Sequence, residues 1–274
     1  MKNTPFIAVT SQPVPYHADT TAIFNTLCQQ NSNSLLLDSA EIGSKNSLQS
    51  LILINAAVKI TCLGNQVTFR ALNANGKQVL KEIHPVLSQL GTVSAVNFDN
   101  EFSVQFAPLD NQLDEDSKLQ AATIFDGLRV ISNHYQHSST PVFLGGLFAY
   151  DLVANFIPMQ GVELKDDGIH CPDYSFYLAE NLITIDHQSQ QATLKSFCFS
   201  QEEQVEVAKT ALSIAQKLKN IDGVLSIKAA SDEVSTNFED PEFTGIVKAL
   251  KHHINIGDVF QIVPSRRFSL ACPN

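Results

Sequence analysis

Residues 174–185 and 192–199 each have the make-up of a β-strand, and the polar run from Asp186 to Gln191 separates them. Two strands at that spacing fold back on each other as a hairpin. An isolated hairpin is marginal in water, so further strands or a helix must cover it. The chain supplies both. Ser-Leu-Leu-Leu-Asp-Ser-Ala-Glu at 34–41 reads as a buried strand running into a polar turn. Residues 50–55, 58–63 and 66–72 read as short strands, with Gly64-Asn65 as the turn between the last two. Val67, Phe69 and Ala71 alternate with Thr68 and Arg70, the period of a half-buried strand. Residues 102–107 add another strand.

Helical patterns lie between these strands. Asp19 can cap a short helix through Cys28, with Ala22, Ile23 and Leu27 as its buried stripe. Residues 76–90 read as a helix interrupted at Pro85. The strongest helical period is Ala121, Ile124, Phe125, Leu128, Ile131 and Tyr135. Asp114, Glu115 and Asp116 stand ahead of it, where the helix dipole favours negative charge, so a helix start explains them better than a metal site. Residues 201–219 are amphipathic. Gly145-Gly146 sits among bulky residues without phosphate-loop spacing, which points to close backbone approach.

The balance of 18 basic against 28 acidic residues leaves a formal charge of −10. Such a chain as a whole is a poor partner for nucleic acid or an anionic membrane. No apolar run reaches the ~18 residues that cross a bilayer, and the first residues lack the apolar core of a signal peptide. The 5 cysteines show neither CxxC nor zinc spacing. Reduced thiols and a cytoplasmic location are the expectation.

The polar stretch 229–240 reads as a linker. It divides an N-terminal regulatory or structural domain, 1–228, from residues 241–274. Asp240-Pro241-Glu242 opens a helix whose apolar face is Phe243, Ile246, Val247 and Leu250. A strand is expected over 258–270. One helix and one strand cannot bury a core. They are either the start of an incomplete second domain or elements that pack back on the first.

Three segments, in order, resemble one family. They are Leu-Leu-Leu-Asp-Ser-Ala-Glu-Ile-Gly-Ser-Lys at 35–45, Phe-Leu-Gly-Gly-Leu-Phe-Ala-Tyr-Asp-Leu-Val at 143–153, and Gly-Asp-Val-Phe-Gln-Ile-Val-Pro-Ser-Arg-Arg-Phe-Ser at 257–269. Together they resemble the large, chorismate-binding subunit of anthranilate synthase (component I). The resemblance implies an α+β fold: antiparallel β-sheet layers with flanking helices, followed by the first helix and strand of a chorismate-binding domain. It implies an enzyme, a lyase, that adds ammonia to chorismate and eliminates pyruvate to give anthranilate. A glutamine amidotransferase subunit (component II) supplies the ammonia in that family, Mg²⁺ is its cofactor, and L-tryptophan inhibits by feedback. The family subunit is about twice this long. Its Mg²⁺ ligands and catalytic histidine would lie beyond residue 274, so this chain alone is expected to make no anthranilate.

Carried over residue by residue, Asp38 and Ser39 resemble the family's tryptophan-binding Glu-Ser. Asp38 is one methylene shorter, and Gln49 stands where relatives have a lysine. A free amino acid needs an acceptor for its ammonium and a donor for its carboxylate. On the residues alone, Asp38-Ser39 is a strand-end turn. Gln261 stands where water-adding chorismate enzymes carry a lysine base. Water needs a base to attack, whereas ammonia is already a nucleophile, so a glutamine can line that side. A buried strand glutamine reads equally well. Arg266-Arg267 fits either a carboxylate site or a surface pair, and His252-His253 fits a helix end better than a metal site. Two other readings stay open: a stand-alone amino-acid-binding regulatory module, and an aminodeoxychorismate synthase-like subunit. The Val-Pro-Ser run at 263–265 speaks against the second.

Overall fold

A computed structural model describes residues 5–29, 31–38, 48–97, 100–108, 110, 112–157, 171–221 and 233–270. The chain divides into two compact units, 1–223 and 224–274.

The first unit carries β1 (Ala8–Val14), α1 (Thr20–Cys28), β2 (Leu35–Leu37), β3 (Gln49–Leu63), β4 (Gln66–Ala71), α2 (Ala74–Leu90), β5 (Thr92–Asn97) and β6 (Glu101–Gln105). It continues with α3 (Glu115–Gln120), α4 (Asp126–His134), β7 (Leu144–Phe148), β8 (Tyr174–Asp186), β9 (Gln191–Cys198) and α5 (Gln204–Lys217). All the strand pairs are antiparallel. The order is β1-β9-β8-β3-β4-β6-β5, with β2 added on β3 and β7 on β8. The fold is therefore α+β, as the sequence implies, and the expected hairpin is β8–β9, paired from Asn181↔Ser196 to Asp186↔Gln191.

Two long strands, β3 and β8, form the spine. The break read between residues 55 and 58 is a bulge inside one continuous strand. From Leu53↔Leu182 to Val58↔Leu178, β3 uses six residues where β8 uses five. One extra residue reverses the in-out alternation of everything beyond it. Leu53, Val58 and Ile60 thereby share one core with Phe69, Leu80, Ile83 and Phe102. Ile52 and Ile54 point the other way, into a second core with Ile23, Ile183, Leu194 and Ile214. Strand neighbours on opposite faces explain the split.

α2 begins at this bulge. Asn73 caps it, its side chain accepting from Gly76 N at 2.8 Å, and Leu72 N donates to Ala57 O at 2.9 Å. A Cβ on Gly76 would fall on the Ala57 carbonyl, so glycine is what lets the helix sit there. Pro85 does not end the helix, which runs on to Leu90. Val79, Leu80, Ile83 and Leu87 are fully buried on one side, while Pro85 is exposed. Water can satisfy the carbonyl left without an amide donor, and the buried face offsets the strain.

The helix expected from the acidic trio at 114–116 through Tyr135 is two helices. Ala121 is extended (φ −65°, ψ 142°) and closes α3. Asp126, the first residue of α4, then reaches back to accept from Thr123 N at 2.7 Å, which fixes the turn from which a new helix starts. Ile124, Ile131 and Tyr135 are nevertheless buried, as their spacing requires. Asp114 is the N-cap of α3, accepting from Ser117 N at 2.9 Å, which gives the acidic trio its helix-start role.

The second unit holds β10 (Val234–Thr236), α6 (Asp240–Asn255) and β11 (Phe268–Leu270). β10 and β11 pair antiparallel, Val234↔Leu270 to Thr236↔Phe268. The polar stretch 229–240 thus contains a short strand, and only 268–270 of the expected strand 258–270 is one. Pro264 cannot donate to a ladder, and the residues before it find no partner strand among the described residues. Phe243, Ile246, Val247 and Leu250 are the least exposed positions within the body of α6.

Candidate functional site

Ser39 lies outside the described residues, so of the Asp-Ser pair only Asp38 can be placed. Asp38 follows β2, is exposed, and accepts a hydrogen bond from Ser50 Oγ at 2.5 Å. The pairing Leu37↔Leu51 puts the two residues side by side. Ser50 is fully buried. On its other flank β3 pairs with β8, Gln49↔Asp186 and Ser50↔Ile185. His187, the next residue after β8, donates its backbone N–H to Leu48 O at 2.9 Å. Its Nε2 lies 2.8 Å from Ser50 Oγ, and its Nδ1 lies 3.3 Å from the Tyr16 hydroxyl. Asp38, Ser50, His187 and Tyr16 form one hydrogen-bonded chain across four segments of the sheet. The sequence reading contains only the first of them.

Gln49 opens β3 and is exposed. Gln261, in the second unit, is also exposed and outside any strand. Arg266 is committed within its own unit: it donates to Asp240 Oδ1 at 2.6 Å and lies over the rings of Phe268 and Phe243, 5.0 and 5.9 Å from their centres. His253 Nδ1 meets Asp258 Oδ2 at 2.8 Å. Among the described residues no group of three or more His, Cys, Asp or Glu could hold a metal ion. Mg²⁺ therefore finds no fitting donor set among them. Cys28, Cys62 and Cys198 are buried thiols and Cys171 an exposed one. Burial, with the Asp173 charge nearby, pushes Cys62 up to about 12.

Gly145-Gly146 serves the close approach read from the sequence. β7 pairs Gly145↔Tyr177 and Gly146↔Phe176. A Cβ on Gly146 would fall on the Ser175 carbonyl and 2.6 Å from Phe176 Cα. β7 carries Phe148 into a ring cluster with Phe125, Tyr174 and Phe176.

The sequence profile of a family described as chorismate binding enzyme matches residues 80–274. The chain belongs to that family. It is 87% identical over 269 residues to anthranilate synthase component 1 of Haemophilus influenzae, an alignment covering 98% of this chain and 52% of the relative. It is 42% identical to anthranilate synthase component 1 of Vibrio cholerae, over 100% of this chain and 53% of that protein. The chain spans about half the length of the curated relatives it matches. A solved structure, anthranilate synthase component I from Streptococcus pneumoniae TIGR4, overlays with a TM-score of 0.48 at 16% identity, covering 86% of this chain and 44% of that one. Among the described residues of this chorismate-binding family member, no helix is long and apolar enough to cross a membrane.

Proposed function

We propose that this chain is the front half of an anthranilate synthase large subunit, a lyase that converts chorismate and ammonia into anthranilate and pyruvate. The observation that carries the reading is the 87% identity to the Haemophilus influenzae component 1 across 98% of the chain. Ammonia would come from a glutamine amidotransferase subunit, and Mg²⁺ would be held by residues of the half that this chain does not span. In this reading Asp38, with Ser39, forms one wall of an L-tryptophan site. An exposed carboxylate already held by a neighbouring hydroxyl suits the ammonium group of an amino acid. Gln261 lines the side from which ammonia enters. A glutamine does not titrate, and ammonia, already a nucleophile, needs no base there. The exposed apolar side chains of Phe260 and Val263 beside it fit a segment that is covered in the longer protein.

The test is direct. The 274-residue chain, supplied with chorismate, ammonia and Mg²⁺, is expected to give no anthranilate fluorescence. The same chain continued through the second half of its relatives is expected to give it, and L-tryptophan is expected to suppress it. Turnover by the isolated chain, or a continued chain that aminates chorismate without releasing pyruvate, would overturn the reading.

A further inference from the structure

We infer that His187 is a positioning residue for Asp38, acting through Ser50, and that the chain Tyr16–His187–Ser50–Asp38 sets how tightly this site holds the ammonium group of an amino acid. The inference rests on the reading of Asp38 as part of an amino-acid site. Its own basis is the direction of the protons. Ser50 Oγ has one hydrogen and two close neighbours, Asp38 Oδ1 at 2.5 Å and His187 Nε2 at 2.8 Å. A carboxylate can only accept, so the serine proton goes to Asp38. His187 must then donate from Nε2 to the serine oxygen. In the neutral ring Nδ1 is then the acceptor for the Tyr16 hydroxyl at 3.3 Å. One neutral tautomer satisfies all three contacts, and every donor points toward Asp38.

Each member comes from a different strand end. Tyr16 follows β1, Asp38 follows β2, Ser50 lies in β3 and His187 follows β8. The chain thereby ties an exposed carboxylate to the sheet. Without the Nε2 donor, Ser50 loses the bond that orients its hydroxyl, and Asp38 loses its fixed rotamer.

The experiment uses the full-length chain, two ligands and calorimetric titration. L-Tryptophan carries the ammonium group, and indole-3-propionate lacks it. His187→Leu is expected to weaken L-tryptophan by about tenfold, the scale of one hydrogen bond serving a charged group, and to leave indole-3-propionate unchanged. His187→Gln places an amide N–H near the Nε2 position and is expected to restore most of the affinity. His187→Asn, one methylene shorter, is not. Asp38→Asn separates the two levels. If it leaves L-tryptophan binding intact, the reading of the site falls and the inference falls with it. If it weakens L-tryptophan while all three His187 variants bind like the parent, the site stands and the inference is overturned. ¹⁵N shifts of the His187 ring give an independent readout. They are expected to show hydrogen on Nε2 in the parent and to change in Ser50→Ala, and a parent ring with no hydrogen on Nε2 would overturn the inference.

Discussion

Glu180 is 7% exposed, and its Oε2 accepts from the side-chain nitrogens of Asn75 at 2.8 Å and Asn73 at 2.9 Å. Asn75 also donates to Phe197 O and accepts from Phe199 N. These contacts join β8, the start of α2 and the end of β9. Burial raises the Glu180 pKa, and the two asparagine donors oppose that rise without cancelling it. A carboxyl whose pKa is raised on folding binds its proton more readily in the native state. Its contribution is therefore complete below the unfolded value of about 4.3 and is lost as pH climbs through the folded value. Glu180→Gln keeps an oxygen for both asparagines and cannot ionise. Urea unfolding should find it near parity with the parent at about pH 4, with an advantage growing toward pH 7; a growing deficit would reverse the sign. Glu180→Ala strands the buried N–H of Asn75 and the half-buried one of Asn73 and should cost about 1–3 kcal/mol at either pH. At this scale the sequence is partly legible. Asp38 is visible as the polar end of an apolar strand. Ser50, His187 and Tyr16 are not, because separations of 137 and 171 residues carry no local signal and only the pairing register closes them.

Whole elements are legible where a local pattern decides them. The β8–β9 hairpin, the Asp19-capped α1, the presence of a helix at α2 and the buried face of α4 follow from spacing and caps. The departures have definite causes. Residues 55–58 hold a bulge, which looks in sequence like the end of one strand and the start of another. Ala8–Val14 and Thr92–Asn97 are the edge strands β1 and β5, and their mixed polar make-up hides them. The second unit's helix keeps its predicted face while its strand shrinks to three residues. Glycine context offers a test at this scale. Gly146→Ala would push a methyl into the Ser175–Phe176 backbone and should part β7 from β8, a loss of about 1–3 kcal/mol or more. Gly245, within α6, has open space where a Cβ would stand. Gly245→Ala should raise the stability of that helix by about 1 kcal/mol. Thermal melts should show the loss at Gly146→Ala and hydrogen exchange of the α6 amides the gain at Gly245→Ala, and no change in either would mean that edge strand and helix are not set by these contacts.

Across the molecule, burial is unequal. Every buried side chain among the described residues belongs to the first unit, from Thr20 to Leu218. The second unit has none, although α6 is 16 residues long. A segment that removes so little apolar surface from water cannot offset the chain entropy of ordering it. What holds it are surface devices: the three-residue β10–β11 ladder, the Arg266–Asp240 bond and the rings of Phe243 and Phe268 about Arg266. Ion pairs and cation–π contacts at partly exposed positions are worth only about 0.5–1 kcal/mol each. The amide hydrogens of α6 in the isolated chain should therefore exchange by local opening, orders of magnitude faster than those of α2, whose Val79, Leu80, Ile83 and Leu87 are fully buried. Continuing the chain to the length of its relatives should cover Phe260, Val263, Phe268 and Leu270, all exposed here. Protection of α6 should then rise by at least about tenfold, roughly 1.4 kcal/mol in opening free energy, while α2 stays unchanged. If hydrogen exchange found α6 equally slow in both chains, the second unit would be a self-sufficient fold and the half-protein reading would lose its physical support.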